Sequence, residues 1–230
     1  MRWDPRIIRE SLSRPLPSEP SFVEVPPLQP NGENLAEFLY ALEVHQPDDF
    51  SVIVERLGAA IEFVEKIRIV DVTTFQGPAK TYYFKESPFP NLILPSIESD
   101  GVVRFLFLLS LLLGDKSTSL ICLEEPDHNL PPRLMLHLAD AMRYFEVLKE
   151  PHTQILVTTH SPDFLNCFNI AEESEYLNVF VVEREPQTGR TNFRPVDAER
   201  LRWWLSKHHL GELYTRGILN VIWGRGEDSM

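Results

Sequence analysis

Basic residues, cysteines and long apolar runs are all scarce in this sequence. Lys and Arg number 22 against 34 Asp and Glu, and the net charge of −12 argues against a broad nucleic-acid surface or attraction to anionic lipid. Cys122 and Cys167 are the only cysteines and form no Cys-x-x-Cys pair, so neither a disulfide scaffold nor a zinc site is indicated. The longest apolar run, Phe105 to Leu113, is far shorter than the roughly 20 residues that cross a bilayer. We therefore expect a cytoplasmic protein with no membrane partner.

Proline, by contrast, is concentrated at the start of the chain, where seven of the 19 prolines precede residue 31. This composition predicts extended or irregular chain there. With 230 residues and 43% hydrophobic content, the sequence can bury one domain core and an appendage. We divide it at residue 95. Residues 1–95 hold the irregular start, two helices and a β-hairpin, and residues 96–230 hold a larger lobe.

Two helices and a hairpin are predicted in the first part. Asn34 with Glu37 three residues later is an Asn variant of the capping box and predicts a helix start. A second helix is predicted over Phe50–Val64 because apolar residues recur there at helical spacing, at Ile53, Leu57, Ile61 and Val64. The β-rich runs Ile67–Phe75 and Thr81–Lys85 predict a hairpin with a loop of five residues, 76–80.

Short apolar strands alternate with helices in the second part. The predicted strands are Leu120–Leu123, Gln154–Thr159 and Val179–Arg184, and the predicted helices are Val102–Leu113, Pro132–Lys149 and Asp197–His208. Strands that are unbroken apolar runs favour a parallel sheet covered on both faces. A helix between the first two strands has the right length for a crossover connection. The predicted fold class is α/β, with a mostly parallel sheet flanked by helices.

Polar residues follow the ends of these strands, where open parallel sheets bind their ligands. Glu124 and Glu125 end the first strand, His160 follows the second, and Ser99-Asp100-Gly101 precedes a helix. Taken singly, each has a plain structural explanation: the start of a loop, a structural histidine, or an ordinary helix cap. If all of these polar residues lie along one edge of the sheet, referred to below as the rim, they are harder to explain without a ligand. The sequence therefore predicts a binding site at this rim.

Three motifs carry a resemblance to a known family. Leu120-Ile121-Cys122-Leu123-Glu124-Glu125-Pro126 looks like the Walker B strand of ABC-type ATPases, in the branch that includes SMC, RecF and overcoming-lysogenisation-defect proteins and many AAA-type ATPases. Ser99-Asp100-Gly101-Val102-Val103-Arg104-Phe105-Leu106 is similar to the signature motif of that family, and Thr158-Thr159-His160-Ser161-Pro162 resembles its His switch. Their order and spacing also match, and the similarity covers most of the chain. The resemblance implies a P-loop NTPase-like fold and an ABC-ATPase-like head domain.

The resemblance also implies roles for individual residues, with ATP and Mg²⁺ as cofactors. Glu124 would hold Mg²⁺, which keeps most of its water and takes one or two carboxylates. Glu125 would activate the attacking water, and His160 would touch the γ-phosphate. The triplet Ser99, Asp100 and Gly101 would contact a nucleotide held by a second protomer.

One part of such an ATPase is missing from the sequence. No G-x-x-x-x-G-K-[ST] phosphate loop occurs; the nearest candidate, Gly114-Asp115-Lys116-Ser117-Thr118, lacks the Gly-Lys pair and follows a predicted helix rather than a strand. The head domain is thus expected to be incomplete and not to hydrolyse ATP alone. Glu98 and Pro131 also depart from the residues usual in the family, which puts contacts at a dimer interface in question.

Three interpretations stay open at this point. The chain is an ATPase whose phosphate loop comes from a Walker A-bearing chain or from an upstream part, with a homodimer partner or an effector protein and only indirect contact with nucleic acid. Alternatively, it is a non-catalytic remnant or interaction domain. The third interpretation is a metal-dependent hydrolase, with its ligands drawn from Glu124, Glu125, Asp127, His128 and His160.

Overall fold

The computed structural model describes residues 16–17, 24–74, 77–114, 119–148 and 154–221. The chain divides into two compact units, Met1–Thr158 and Thr159–Met230. The division at residue 95 that the motifs suggest stays a prediction. None of the helices in these five stretches has the length and apolar character that a bilayer crossing requires.

An antiparallel sheet forms one part of the first unit. Its strands are β1 (Leu16–Pro17), β2 (Val64–Thr74), β3 (Gly77–Glu86) and β4 (Leu92–Ile93). β3 pairs with each of the other three. The predicted hairpin is present, but Thr74 lies opposite Gly77, so the five-residue loop was wrong. Residues 77–80 are held in β3 because they pair with β2, and two of them also pair with β1.

Two helices, α1 (Leu35–His45) and α2 (Pro47–Ala60), lie between β1 and β2 in the chain. The first begins where the sequence predicts, but the predicted capping box is wrong: the Asn34 side chain makes no cap bond to the helix. Its Oδ1 accepts a hydrogen bond from the Gln29 backbone N–H at 2.8 Å, and its Nδ2 donates to the Pro27 carbonyl at 3.0 Å. Asn34 therefore closes the preceding loop.

The apolar stripe of the second predicted helix is buried, but the helix is shorter than expected. Ile53, Leu57, Ile61 and Val64 are all buried, as the pattern predicts. The helix nevertheless ends at Ala60, because Ile61 adopts an extended backbone and Val64 pairs with Glu86 in the hairpin. Pairing in the sheet overrides the helical period at this point.

The long apolar helix α3 (Asp100–Leu109) continues as a π-helical segment, Ser110–Gly114. Residues 102–112 are buried throughout, as the sequence predicts for a core helix. A Cβ at Gly114 would lie 2.8 Å from Leu42 Cδ1 and 3.0 Å from the Phe38 ring. Gly114 is thus a packing residue against α1. It is also the last residue of a helical segment rather than a residue after a strand, which agrees with the rejection of Gly114-Asp115-Lys116-Ser117-Thr118 as a phosphate loop. Residues 115–118 lie outside the described part.

A parallel strand pair with a helical crossover completes the first unit. Strand β5 (Leu120–Glu124) pairs with β6 (Gln154–Thr158), and α4 (Pro132–Leu148) connects them. The parallel pairing confirms the predicted crossover. The prediction that both faces of this strand pair are covered is wrong. Ile121 is buried on one face, whereas Leu120 and Leu156 on the other face are 51% and 58% exposed.

The described residues of the second unit, 159–221, form four helices and a hairpin. They are α5 (Pro162–Leu165), β7 (Phe180–Arg184), β8 (Thr191–Pro195), α6 (Ala198–Leu205), α7 (Leu210–Thr215) and α8 (Ile218–Val221). Its buried core consists of Ile170, Leu201, Leu210, Leu213 and Leu219. The sequence predicts that the strand Val179–Arg184 joins the parallel sheet, and this pairing is wrong. Strand β7 pairs antiparallel with β8 across a short turn that contains Gly189 at φ +71°. So short a connection can join only antiparallel strands.

Candidate functional site

The two adjacent glutamates mark the end of β5. Glu124 is the last paired residue of the strand, opposite Thr158 on β6, and its side chain is exposed. Glu125 is half-buried, and its backbone N–H donates to the Thr158 carbonyl at 2.9 Å. Its φ of +44° lies in the left-handed region, which residues with a side chain rarely adopt. The chain therefore turns sharply at Glu125.

A tight loop follows this turn. The His128 N–H donates to the Glu125 carbonyl at 3.0 Å, and the Leu130 N–H donates to the Asp127 carbonyl at 3.0 Å. Asn129 is a second residue in the left-handed region, with φ +63°. Asp127 is 7% exposed, and its Oδ1 has no hydrogen-bond partner within the described part of the chain. The loop is fixed by its own backbone bonds.

Helix α3 reaches the same loop through a buried arginine. Arg104 is 4% exposed, and its Nη2 donates to the Glu125 carbonyl oxygen at 2.7 Å. Burial lowers the pKa of its guanidinium, while the charges of Asp127 and Glu125 oppose that shift. The sequence gives Arg104 no role beyond its place in a motif, because its partner lies 21 residues away and is brought close only by folding.

The predicted triplet Ser99, Asp100 and Gly101 forms the start of α3. Ser99 is the N-cap, and its hydroxyl oxygen accepts a hydrogen bond from the Val102 N–H at 3.2 Å. A Cβ at Gly101 would lie 3.2 Å from the Asn129 carbonyl oxygen, so the helix start packs closely on the loop after β5. The structure thus brings the signature-like triplet and the glutamate loop together within the first unit.

Glu98, one of the departures from the family pattern, has a structural role. Its Oε1 accepts a hydrogen bond from the Ser99 backbone N–H at 2.7 Å. Glu86, at the end of β3, is 4% exposed and lies beside it. Burial raises the pKa of Glu86 to about 7, and the hydrogen bond and charge of Glu98 act in the same direction. No sequence signal marks this pair, because the contact joins a strand end to a helix start.

His160 belongs to the second unit. Its side chain is exposed, and the neighbouring residues form a local turn in which Thr159 Oγ1 accepts a hydrogen bond from the Ser161 N–H at 3.0 Å. Ser161 caps α5: its Oγ accepts a hydrogen bond from the Phe164 N–H at 3.1 Å. Because β5 and β6 are parallel, the chain leaves β6 at the sheet edge that carries Glu124. Convergence of His160 with the glutamates stays a prediction.

The donor chemistry at this edge fits one magnesium ion better than a protein-built metal cage. An exposed carboxylate such as Glu124 is a hard oxygen ligand of the kind that Mg²⁺ accepts alongside water. Among the described residues, no three His, Cys, Asp or Glu side chains come together in a way that could hold a metal ion.

The fold and the sequence together define the class of protein, an AAA-type ATPase domain with a P-loop NTPase-like fold. A family model described as "AAA domain, putative AbiEii toxin, Type IV TA system" matches residues 9–166. The match covers more than half of the chain, and the protein belongs to this family. This match confirms the resemblance to AAA-type ATPases. No curated protein matches the sequence.

A solved structure of an SMC ATPase head shares the fold. An SMC head bound to the C-terminal winged-helix domain of ScpA aligns with a TM-score of 0.53 and 12% identity, over 85% of this chain and 55% of that one. This chain thus spans about half the length of that protein. A chain from structural work on ATP-driven dimerization and DNA-stimulated activation of SMC ATPases aligns with a TM-score of 0.49 and 12% identity, over 72% and 95% of the two chains. The first of these likenesses confirms the α/β fold class.

Proposed function

We propose that this protein supplies the magnesium- and water-handling side of an ATPase site. Glu124 binds Mg²⁺, Glu125 orients and deprotonates the attacking water, and His160 contacts the γ-phosphate. Ser99, Asp100 and Gly101 contact a nucleotide bound by a second protomer. The family supports nucleotide binding of the ATPase type, and these individual roles deepen that assignment to named residues.

The observation that carries the proposal is the geometry at the end of β5. Glu124 and Glu125 are adjacent at the carboxyl end of a parallel strand, where such folds bind their ligands. The left-handed backbone of Glu125 is held by the Thr158 carbonyl on one side and by Arg104 on the other. A backbone held in a rarely populated conformation is typical of a functional position. A simple loop start would need no such support.

Mg²⁺, when bound with ATP, neutralises the charge that develops on the phosphate oxygens. The role of this protein is to hold and orient ATP and the attacking water. Glu124 offers one carboxylate and leaves the remaining positions to water and phosphate. Glu125 stands next to it in sequence, so its carboxylate can accept a proton from water near the phosphate.

A phosphate loop must come from outside this sequence, because it contains no G-x-x-x-x-G-K-[ST] segment. We propose that a Walker A-bearing polypeptide, or a further part of the same protein, provides it in the cytoplasm. The open face of β5 and β6, with Leu120 and Leu156 exposed, supports such a partner, since parallel sheets are normally covered on both faces. An effector protein is a further expected partner; the similar SMC head is seen with a winged-helix domain.

The test is ATP turnover by the protein alone and in mixtures with polypeptides from neighbouring genes that carry a phosphate loop. We expect no turnover alone and Mg²⁺-dependent turnover in the productive mixture. Glu125→Gln should lower kcat by about a hundredfold to a thousandfold, because it removes the general base and keeps the shape. Glu62→Gln is the matched control, since Glu62 is exposed and pairs only with exposed Arg133 among the ion pairs described.

Turnover that survives Glu125→Gln unchanged would contradict the assigned role. The absence of a phosphate loop favours a second candidate, a non-catalytic interaction domain of an ATPase. That candidate predicts no turnover in any mixture, while a complex with the partner still forms in sizing experiments.

A further inference from the structure

We propose that Arg104 is a positioning residue that couples the nucleotide-contacting start of α3 to the water-activating Glu125. The inference rests on the proposed function of Glu125 and of the Ser99-Asp100-Gly101 triplet. It adds a residue that touches neither nucleotide nor water and acts through the backbone of the loop after β5.

The first support is the contact itself. Arg104 is buried to 96%, and its guanidinium donates at 2.7 Å to the backbone carbonyl oxygen of Glu125. A charged donor on a carbonyl makes a stronger hydrogen bond than a neutral one. The same carbonyl also accepts from the His128 N–H, so the peptide group after Glu125 is fixed by two donors. Its orientation sets where the Glu125 side chain leaves the backbone.

The second support is that α3 meets the loop at both of its unusual residues. Glu125 and Asn129 have φ values of +44° and +63°. Arg104 bonds the carbonyl of the first, and Gly101 packs against the carbonyl of the second, where a Cβ would lie only 3.2 Å away. A glutamate keeps such a conformation only when its surroundings enforce it, whereas asparagine adopts it more readily. The first turns of α3 provide that enforcement at two points.

A consequence for regulation follows from this arrangement. Gly101 and Arg104 lie one turn apart on the same helix, and Ser99 caps it. A nucleotide that contacts the helix start therefore acts on the same rigid element that holds Glu125. Movement of α3 would shift both carbonyl contacts together, and with them the catalytic glutamate.

Hydrogen exchange of the Glu125 amide tests the inference without requiring turnover. This amide donates to the Thr158 carbonyl, so its exchange rate reports how well the loop is held. We expect Arg104→Met to raise its exchange about tenfold, and Arg104→Lys, which keeps one charged donor, to restore part of the protection. The β2–β3 hairpin amides serve as internal reference, and Arg133→Met on the exposed side of α4 is the matched control.

Unchanged exchange of the Glu125 amide in folded Arg104→Met would overturn the inference. A uniform rise that includes the hairpin amides would also overturn it, because it would mean a general stabilising role. If Arg104→Met does not fold, Gly101→Ala replaces it, with the same local loosening expected from pressure on the Asn129 carbonyl.

A kinetic measurement separates this inference from the proposed function. In a mixture that turns over ATP, Arg104→Lys should lower kcat about tenfold or more with the KM for ATP unchanged, as expected for a misplaced catalytic group. Equal kcat values would overturn the inference. If wild-type protein shows no turnover in any mixture, the proposed function fails, and the exchange experiment alone decides whether Arg104 holds the loop.

Discussion

Glu86 is the titrating residue with the clearest consequence for stability. Its ordinary pKa of 4.5 is raised to about 7 in the folded protein, mainly by burial and further by Glu98. Because the folded pKa lies above the unfolded one, Glu86 stays protonated in the folded state while the unfolded chain ionises. The stabilisation is therefore fully present below about pH 4.5 and is lost as the pH rises through about 7.

We expect the free energy of unfolding to fall by ~2 kcal/mol between about pH 5 and pH 8 from this residue. Glu86→Gln keeps the size and removes the titration, so it should flatten this part of the profile in urea unfolding. Glu62→Gln, at an exposed site, should leave the profile as it is. A Glu86→Gln profile that falls as steeply as the wild-type one would refute the assignment.

Local rules predict some residues of this structure well and others not at all. Ser99, Ser161 and Asp197 cap their helices as the local rule predicts, because a cap needs only a side-chain oxygen that accepts from an amide two or three residues later. Asn34 is an exception to this rule, because its side chain accepts a hydrogen bond from the preceding loop instead of capping α1. The contact of Arg104 with Glu125 has no local signature, because tertiary packing creates it.

Helix α7 shows how one backbone contact can stabilise a whole element. Gly211 approaches α5 so closely that a Cβ there would clash with the Pro162 carbonyl group and lie 2.7 Å from Asn166 Oδ1. The Gly211 N–H donates to that same Asn166 oxygen at 2.8 Å. This close packing is the physical reason for a glycine at position 211.

Gly211→Ala should therefore destabilise the second unit by about 2–3 kcal/mol, since neither the carbonyl nor the helix can move without breaking contacts. We expect the melting temperature of this unit to fall by about 10 °C in a calorimetric scan. Arg216→Ala, at the exposed end of the same helix, should change it little. A Gly211→Ala protein that melts with the wild type would show that α5 and α7 do not pack as described.

The sequence predicts where strands occur better than it predicts which strands pair with each other. The β5–α4–β6 crossover is as predicted, because apolar strands separated by a long helix have few alternatives. β7 has a similar apolar composition but pairs with β8. Which neighbour a strand takes depends on the length of its connection and on the rest of the sheet, and the composition of the strand does not contain that information.

At the scale of the whole molecule, the proposed function requires two segments of the chain to act on one nucleotide. Glu124 and Glu125 belong to the first unit and His160 to the second. The parallel pairing of β5 and β6 places Thr158 opposite Glu124, and His160 follows Thr158 by two residues. That the three residues share one nucleotide stays a prediction. The sequence could predict the candidate residues, whereas their arrangement around Mg²⁺ and ATP requires a direct measurement.

The most direct measurement is cleavage of the backbone by Fe²⁺ bound in place of Mg²⁺, with ATP and ascorbate, followed by mass spectrometry of the fragments. We predict nucleotide-dependent cuts both beside Glu124 and within Thr159–Ser161, and loss of both in Glu124→Ala. Cleavage beside Glu124 alone, with the His160 segment intact, would contradict the single site.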